Sequence, residues 1–400
     1  MIFRRLAALL ASLFLVASVC QARELSDQAS ASLWTVGPGP ELYAAFGHSA
    51  LRITDPVLGF DRIYNFGTFD FATPNFYLKF MHGDLDYFLS AAIAPELVEE
   101  YRDHQQLVVE QQLNLTPDEL DQLFISMEDN LQPEFAAYRY DFVRDNCTTR
   151  IRDAVARVTK VRWQPLEKSA PTLREMVQPY VADRPAIQTG INLLFGDNMD
   201  HPATAMEAMF LPEDMKIAFD RAIIEAPSGE RPLIKSTQIL LPGAKVPRPA
   251  TNWLVLATYG AAVFALVSLL RSKGWPRWLD ILIFSIVGLI GCALCFFWFG
   301  TRHWVLHENW NLLWAWPTHL LIWFLPKRVQ RAYWFFYAAI VLFVATWLHF
   351  ETVFLGMKLL LGFRALALAR QVPGKGLEPS LLSKPDPKSG ASANFATQAL

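Results

Sequence analysis

The sequence predicts an α+β domain outside the cytoplasm, followed by an all-α transmembrane bundle of about five helices. Three observations support this fold class: a start typical of an export signal, mixed strand-like and helix-like segments up to about residue 250, and long apolar runs from Trp253 onward. Of the 400 residues, 52% are hydrophobic, and most of the excess lies in the second half. The formal net charge of -2 gives no basis for nucleic-acid binding.

The start of the chain has the features of an export signal. Arg4 and Arg5 precede an apolar run over 6–19, and Ala22 offers a small residue for cleavage. We therefore expect a signal peptide over 1–22, with an uncleaved anchor or a buried core helix as the alternatives.

The cysteines single out one thiol. Cys20 falls in the expected signal peptide, and Cys292 and Cys295 lie in an apolar run, where they are interpreted as packing residues. Cys147 is then the only cysteine of the exported domain. Export favours disulfide formation, so an unpaired thiol there indicates either burial or chemistry.

Residues 23–250 are expected to form the exported domain. Strand-like composition bounded by glycine or proline marks 49–54 and 62–66, and partial alternation marks 107–115. Helices are predicted at 95–102, at 116–130, where Thr116 precedes Pro117, and at 146–158. Residues 225–250 contain five prolines and are interpreted as an extended connector to the membrane.

Residues 251–370 are expected to form the transmembrane domain, and 371–400 a disordered cytoplasmic tail. A spanning helix needs about 20 apolar residues. The runs 253–270, 281–299 and 332–350 meet this length, whereas 309–325 is shorter and 353–369 carries Lys358 and Arg364. Basic residues cluster in the loops that this count places inside, as expected for cytoplasmic loops.

Two short stretches contain the residues best suited to chemistry. Cys147 stands where a helix is expected to begin, so the helix dipole and free N–H groups would favour its thiolate and could hold an oxyanion. His48, after Gly47 at the start of a predicted strand, could serve as the base. The alternative is structural, with Cys147 as a small buried hydrophobe and His48 as a satisfied strand residue.

Several separated motifs then carry a resemblance to a known family. They are GHSALRI at 47–53, RIYNFGTFD at 62–70, DNCTTR at 145–150, FLPE at 210–213 and NWNLLW at 309–314. In this order they resemble the Lnb family of bacterial lipoprotein N-acyltransferases, which have a periplasmic N-terminal domain and a C-terminal membrane domain. The order of histidine before cysteine is also similar to that of permuted papain-like (NlpC/P60-like) enzymes, so the resemblance implies that fold for the periplasmic domain.

The resemblance implies a mechanism at the inner membrane. Cys147, activated by His48, would take an acyl chain from a phospholipid as a thioester and pass it to the α-amine of a diacylglyceryl-cysteine lipoprotein. The partners are then phospholipid, lipoprotein and membrane, with no cofactor, metal or nucleic acid expected. The alternatives are a membrane-anchored cysteine hydrolase, either a peptidase or a lipid thioesterase, and a non-enzymatic envelope factor.

Further candidate residues surround this pair. Asn65 and Asp70 follow the histidine strand and could orient the imidazole. Asn146 could aid the oxyanion or cap the helix. The polar and aromatic outer loop offers a substrate-binding site through His307, Asn309 and Asn311, or an ordinary interfacial aromatic belt. A metal at His303, His307 and Glu308 is not expected, because their spacing matches no known ligand pattern.

Overall fold

The computed structural model describes residues 24–164, 170–227, 229–244, 249–271, 275–347 and 354–371. The expected signal peptide at 1–22 and all but the first residue of the expected tail lie outside the described residues. The described chain divides into a sheet-rich N-terminal domain and a helical C-terminal region.

A seven-stranded antiparallel sheet forms the centre of the N-terminal domain. Its strands are β1 (Ser30–Val36), β2 (His48–Asp55), β3 (Phe60–Thr68), β4 (Asp86–Ala92), β5 (Val108–Leu113), β6 (Ala137–Arg139) and β10 (Ile234–Leu241). Their order in the sheet is β10-β5-β1-β2-β3-β4-β6. A smaller sheet contains β7 (Val161–Arg162), β8 (Ile223–Ala226) and β9 (Gly229–Pro232).

Helices cover both faces of the large sheet. They are α1 (Phe76–His82), α2 (Ala94–Asp103), α3 (Pro117–Leu131), α4 (Pro133–Ala136), α5 (Cys147–Val158), α6 (Leu173–Val181), α7 (Pro185–Leu194), α8 (Ala205–Ala208) and α9 (Pro212–Arg221). Alternate side chains of β2 point to opposite faces of the sheet and belong to two different hydrophobic cores. Leu51 packs with residues of α3 and α5, while Ala50 packs with residues of α2. The α5 helix is thereby held against β2 and β3.

The predicted connector at 225–250 is wrong. Residues 229–232 and 234–241 of it form β9 and β10, and β10 pairs with β5 at the edge of the large sheet. The prolines led to the wrong interpretation because proline cannot donate to a strand ladder. Here Pro227 and Pro242 flank the strands, and Pro232 ends β9 beside β8.

Three helices of the C-terminal region are long and apolar enough to cross a membrane: α10 (Trp253–Arg271), α11 (Arg277–Gly300) and α12 (Lys327–Trp347). A fourth, α13 (Leu355–Gln371), does not meet that criterion among the described residues. It carries Arg364, which is buried and forms a bidentate ion pair with Asp280 of α11 at 2.7 and 2.8 Å. The charge of Arg364 is therefore met inside the protein.

The span predicted at 309–325 is not a regular α-helix. It consists of short 3-10 turns at Trp310–Leu313, Pro317–Leu320 and Ile322–Phe324. This chain lies against α11, where a Cβ on Gly291 would come within 2.1 Å of the carbonyl oxygen of Ala315. Irregular backbone at this depth is tolerated because it packs against protein. The count of five spanning helices is not confirmed.

The loop after α11 docks on the N-terminal domain. The backbone N–H of Gly196 donates to Val305 O at 2.8 Å, and that of Asp197 donates to Glu308 O at 3.0 Å. The Arg144 guanidinium lies 3.7 Å from the centre of the Trp304 ring, which adds a cation–π contact. These contacts hold the sheet-rich domain at the outer end of α11.

Gly196 is the tightest point of this interface, and we expect Gly196→Ala to disrupt it. The new Cβ would lie 1.6 Å from the carbonyl oxygen of His307. The backbone must move apart, which should cost about 3 kcal/mol or more of unfolding free energy. Thermal unfolding of the detergent-solubilised full-length protein would measure the loss.

Gly190 provides the matched control, because a Cβ there meets no atom within 4 Å. Gly190→Ala lies inside α7 and should be neutral or stabilising by up to about 1 kcal/mol. Equal melting temperatures for the two variants would contradict the close approach at Gly196.

Candidate active site

The loop between β1 and β2 fixes the position of His48. Gly47 has a φ of 80°, a left-handed conformation that favours glycine. A Cβ at this position would also lie 2.5 Å from the carbonyl oxygen of Val36. The chain can therefore turn closely over the end of β1 and begin β2 at His48.

Cys147 is the first residue of α5, and Asn146 is its N-cap. Asn146 Oδ1 accepts the backbone N–H groups of Thr148 and Thr149, both at 3.0 Å. The Asn146 amide donates to the carbonyl oxygens of Phe142 and Phe210 at 2.8 and 2.9 Å. The cap therefore fixes the start of α5 to two other segments, and the thiol takes its position from it.

The two strands beneath the site separate at the point where the thiol is placed. The register between β2 and β3 ends at Leu51 opposite Tyr64. His48 and Asn65 lie beyond that last pair, on the two sides of the opening. Since α5 packs on both strands, its N-terminal residue Cys147 meets the imidazole there.

The thiol and the imidazole lie close enough for each to shift the pKa of the other. Burial alone would raise the pKa of Cys147, but the charge of His48 and its hydrogen bond lower it. Backbone N–H groups of Ser49 and Thr148 also donate to the sulfur and favour the thiolate. Together these interactions bring the pKa of Cys147 below its ordinary value.

Asn65 holds the other side of the imidazole. His48 Nε2 lies 3.2 Å from Asn65 Oδ1, and because the oxygen can only accept, Nε2 carries the proton. Nδ1 is then the ring nitrogen left for the sulfur. Burial would lower the pKa of His48, but the Cys147 charge and the hydrogen bonds to Cys147 and Asn65 raise it above the ordinary value. The arrangement favours a thiolate–imidazolium pair.

Asp70, the other predicted orienting residue, does not take that role. Its side chain is exposed and accepts the backbone N–H of Ala72 at 2.8 Å, within the turn that follows β3. A short acidic side chain after a strand readily closes such a turn. Of the two candidates, the structure brings Asn65 to His48.

The predicted substrate role of Asn146 is also corrected. It is buried, and both of its donors and its acceptor are occupied by the cap and the two carbonyl contacts. An oxyanion would therefore have to displace an existing hydrogen bond. The backbone N–H of Ser49, which sequence reasoning did not single out, faces the sulfur. That of Thr148 also lies near the sulfur, but it already donates to Asn146 Oδ1 at 3.0 Å.

Asn309 and Asn311 form structural contacts rather than the predicted substrate site. Both are buried, and both donate their amides to carbonyl oxygens at the end of α7, Asn309 to Leu193 and Leu194 at 2.9 Å. A helix end leaves carbonyl oxygens unpaired, and these amides satisfy them. His307 is half-buried and donates from Nε2 to Thr301 O at 3.0 Å, so it too closes the loop.

Tyr140 is a residue near the site that sequence reasoning did not identify. Its ring stacks on Tyr87 with centroids 4.6 Å apart. Burial raises the pKa of Tyr140, and the nearby Cys147 thiolate adds to the rise. The sequence pattern did not indicate a role for Tyr140, because an aromatic residue seven positions before the cysteine is typical of ordinary packing. Among the described residues, no group of three or more His, Cys, Asp or Glu side chains is placed to hold a metal.

We expect His48→Ala to shift the pH dependence of thiol alkylation. In the intact protein the lowered pKa of Cys147 populates the thiolate at a lower pH than an ordinary thiol would, with loss as the pH falls below that pKa. Without the imidazole, burial dominates and the pKa rises, so the rate at pH 7 should fall by roughly tenfold. Iodoacetamide labelling of Cys147 followed by peptide mass spectrometry measures this rate from pH 5 to 9.

The exposed His104 supplies a control for that measurement, because His104→Ala removes an imidazole outside the described pair. Its alkylation profile should superimpose on that of the unchanged protein. A His48→Ala profile that also superimposes would mean that the histidine does not activate the thiol.

Asn65→Ala should have a milder effect of the same sign. Removing the acceptor from Nε2 frees the ring and lowers the pKa of His48, so the ion pair weakens. We expect the alkylation rate at pH 7 to fall roughly threefold, close to what loss of one hydrogen bond allows. Asp70→Ala is the matched variant and should leave the rate unchanged; the reverse ranking would reinstate Asp70 as the orienting group.

Comparison with known families finds two matching family models. The model of the Lnb N-terminal periplasmic domain matches residues 21–178, which include His48, Asn65 and Cys147. The model of the Lnb transmembrane domain matches residues 244–372, which include α10 to α13. No curated protein and no solved structure matches the chain. The chain belongs to the Lnb family, as a membrane protein with a periplasmic domain followed by a transmembrane domain.

Proposed function

We propose that this protein is a phospholipid-to-lipoprotein N-acyltransferase of the bacterial inner membrane. Membership of the Lnb family indicates a membrane enzyme of lipoprotein processing. The observation that supports the acyl transfer itself is the contact between Cys147 and His48, with Asn65 behind the imidazole. The order of the His48 strand before the Cys147 helix is similar to a permuted papain-like arrangement.

The first half-reaction loads the enzyme. The Cys147 thiolate attacks the ester carbonyl carbon of a phospholipid, so a C–S bond forms while the C–O bond to glycerol breaks. His48, protonated in the resting pair, gives its proton to the leaving glycerol oxygen. The products are an acyl thioester on Cys147 and a lysophospholipid.

The second half-reaction transfers the chain. The neutral α-amine of a diacylglyceryl-cysteine lipoprotein attacks the thioester carbonyl, so a C–N bond forms and the C–S bond breaks. His48, now neutral, accepts the proton that the amine loses. The thiolate and imidazolium are restored, and the lipoprotein carries an amide-linked acyl chain.

The N–H groups that face the sulfur would assist both steps. That of Ser49 comes from the start of β2, and that of Thr148, which is shared with Asn146 Oδ1, comes from the first turn of α5. In each tetrahedral intermediate the oxyanion stands on the carbon bonded to Sγ, next to the same donors. Fixed N–H groups of this kind stabilise developing charge without reorganisation.

The placement of the domain supports a multi-pass inner-membrane enzyme. The docked loop at 301–308 joins the periplasmic domain to the outer end of α11, and α11 begins at Arg277, a few residues along the chain from Arg271 at the end of α10. Positive residues at that end favour the cytoplasmic side. Donor and acceptor lipids lie in the same leaflet as the docked domain, which raises their effective concentration at the thiol.

Intact-mass analysis of envelope lipoproteins tests the proposal. A strain that depends on this protein should carry lipoproteins with one additional acyl chain, and Cys147→Ala should abolish it. Cys292→Ala is the control, because Cys292 is exposed on α11 and is placed outside the site. A hydroxylamine-sensitive acyl adduct on Cys147 should accumulate when acceptor is withheld.

Two outcomes would overturn the proposal. Release of free fatty acid by a Cys147-dependent reaction, with no acyl chain appearing on lipoprotein, would identify the protein as a hydrolase instead. Unchanged lipoprotein masses in the Cys147→Ala strain would remove the enzymatic role of the thiol.

A further inference from the structure

A patch of large apolar side chains lies exposed on the periplasmic domain. It is formed by α1 and the turn before it, and its exposed fractions run from 39% at Met81 to 75% at Tyr77. Its members are Phe71, Tyr77, Leu78, Phe80 and Met81, here called the α1 patch. A contiguous apolar surface of this kind marks contact with lipid or with another protein.

Hydrogen bonds tie α1 to the outer end of the spanning helix α11. His303 Nε2 donates to Phe80 O at 2.8 Å, and His82 Nδ1 donates to Gly300 O at 3.0 Å. Gly300 is the last residue of α11. The α1 patch therefore lies at the level where that helix leaves the membrane.

The patch also continues the lipid-facing surface of α11. The His82 ring meets the Phe296 ring edge-on with centroids 5.3 Å apart, and Phe296 is itself an exposed side chain of the spanning helix. The last turn of α1 carries Lys79 and His82, and the helix has no acidic residue. Apolar residues beside a lysine match a bilayer surface with anionic headgroups better than they match a protein partner.

Aromatic rings lead from the patch towards the thiol. Phe71 contacts Phe69 with centroids 5.0 Å apart, and Phe69 contacts Tyr87 at 5.5 Å. Tyr87 stacks on Tyr140 at 4.6 Å, and both Tyr140 and Cys147 pack against the same buried core. These side chains offer an apolar surface along which an acyl chain could lie.

We propose that the α1 patch inserts into the periplasmic leaflet and that the rings from Phe69 to Tyr140 guide a phospholipid acyl chain from this leaflet to Cys147. The lipid contact is supported by the hydrogen bonds between α1 and the end of α11. The delivery of an acyl donor rests on the proposed function above.

The lipid contact is tested by photocrosslinking. The full-length protein carrying p-benzoylphenylalanine at position 78 is reconstituted in vesicles of phosphatidylethanolamine and phosphatidylglycerol and irradiated. Intact mass should show a covalent phospholipid adduct. Position 58 is the matched control: Leu58 is 60% exposed against 56% for Leu78, but it lies in the turn at the far end of β2.

Delivery of the acyl donor is tested by introducing a charged residue at position 78 and, as a control, at position 58. For each variant, thioester formation on Cys147 is measured with vesicle phospholipid and with a water-soluble short-chain ester. Leu78→Glu should lower the ratio of the two rates by about tenfold or more, because a carboxylate is poorly tolerated in lipid. Leu58→Glu should leave that ratio within about twofold.

The two arms separate failure of this inference from failure of the proposed function. Equal phospholipid adducts at positions 78 and 58, none at position 78, or a protein adduct there would overturn the lipid contact whatever the reaction. An unchanged rate ratio in Leu78→Glu would overturn the delivery route. If the unchanged protein forms no thioester with either ester, the acyl-transfer function fails, while an adduct confined to position 78 still supports insertion.

Discussion

The cap formed by Asn146 is the interaction on which the site depends. Its side-chain oxygen Oδ1 accepts the N–H groups of Thr148 and Thr149, while its side-chain amide donates to the carbonyl oxygens of Phe142 and Phe210. Three segments are thereby fixed at one point, and the sulfur of Cys147 is directed into the opening between β2 and β3. A half-buried thiolate needs hydrogen-bond donors and a positive charge close by. A fixed start of α5 keeps the sulfur next to these groups.

The contact between the two domains also depends on asparagine side chains that pair with free backbone groups at the end of a helix. Asn309 and Asn311 satisfy the carbonyl oxygens that α7 leaves free, and Gly196 allows the loop to approach closely. Polar backbone groups, which would be costly to bury unpaired, become the contacts that set the height of the domain above the membrane. A rigid docking of this kind matches an enzyme whose substrates stay in one leaflet.

Placement of the site and of the α1 patch can then be understood together. The thiol lies where two strands part, and the patch lies where α1 meets the end of α11. Aromatic contacts through Phe69 and Tyr87 connect the two. In the proposed reaction, the membrane would supply both acyl donor and acceptor, and the resting ion pair at Cys147 would serve each half-reaction without a cofactor.

The sequence by itself determined those features that depend on neighbouring residues: the strands around 49–54 and 62–66, the capped helix at Thr116, and the helix that begins at Cys147. Composition and motif order also indicated the membrane half and the family. Only the tertiary structure decided between Asn65 and Asp70, assigned Asn146, Asn309 and Asn311 to caps, and turned the proline-rich segment into β10. Those outcomes depend on which distant backbone groups come within hydrogen-bonding reach, and spacing along the chain does not fix such distances.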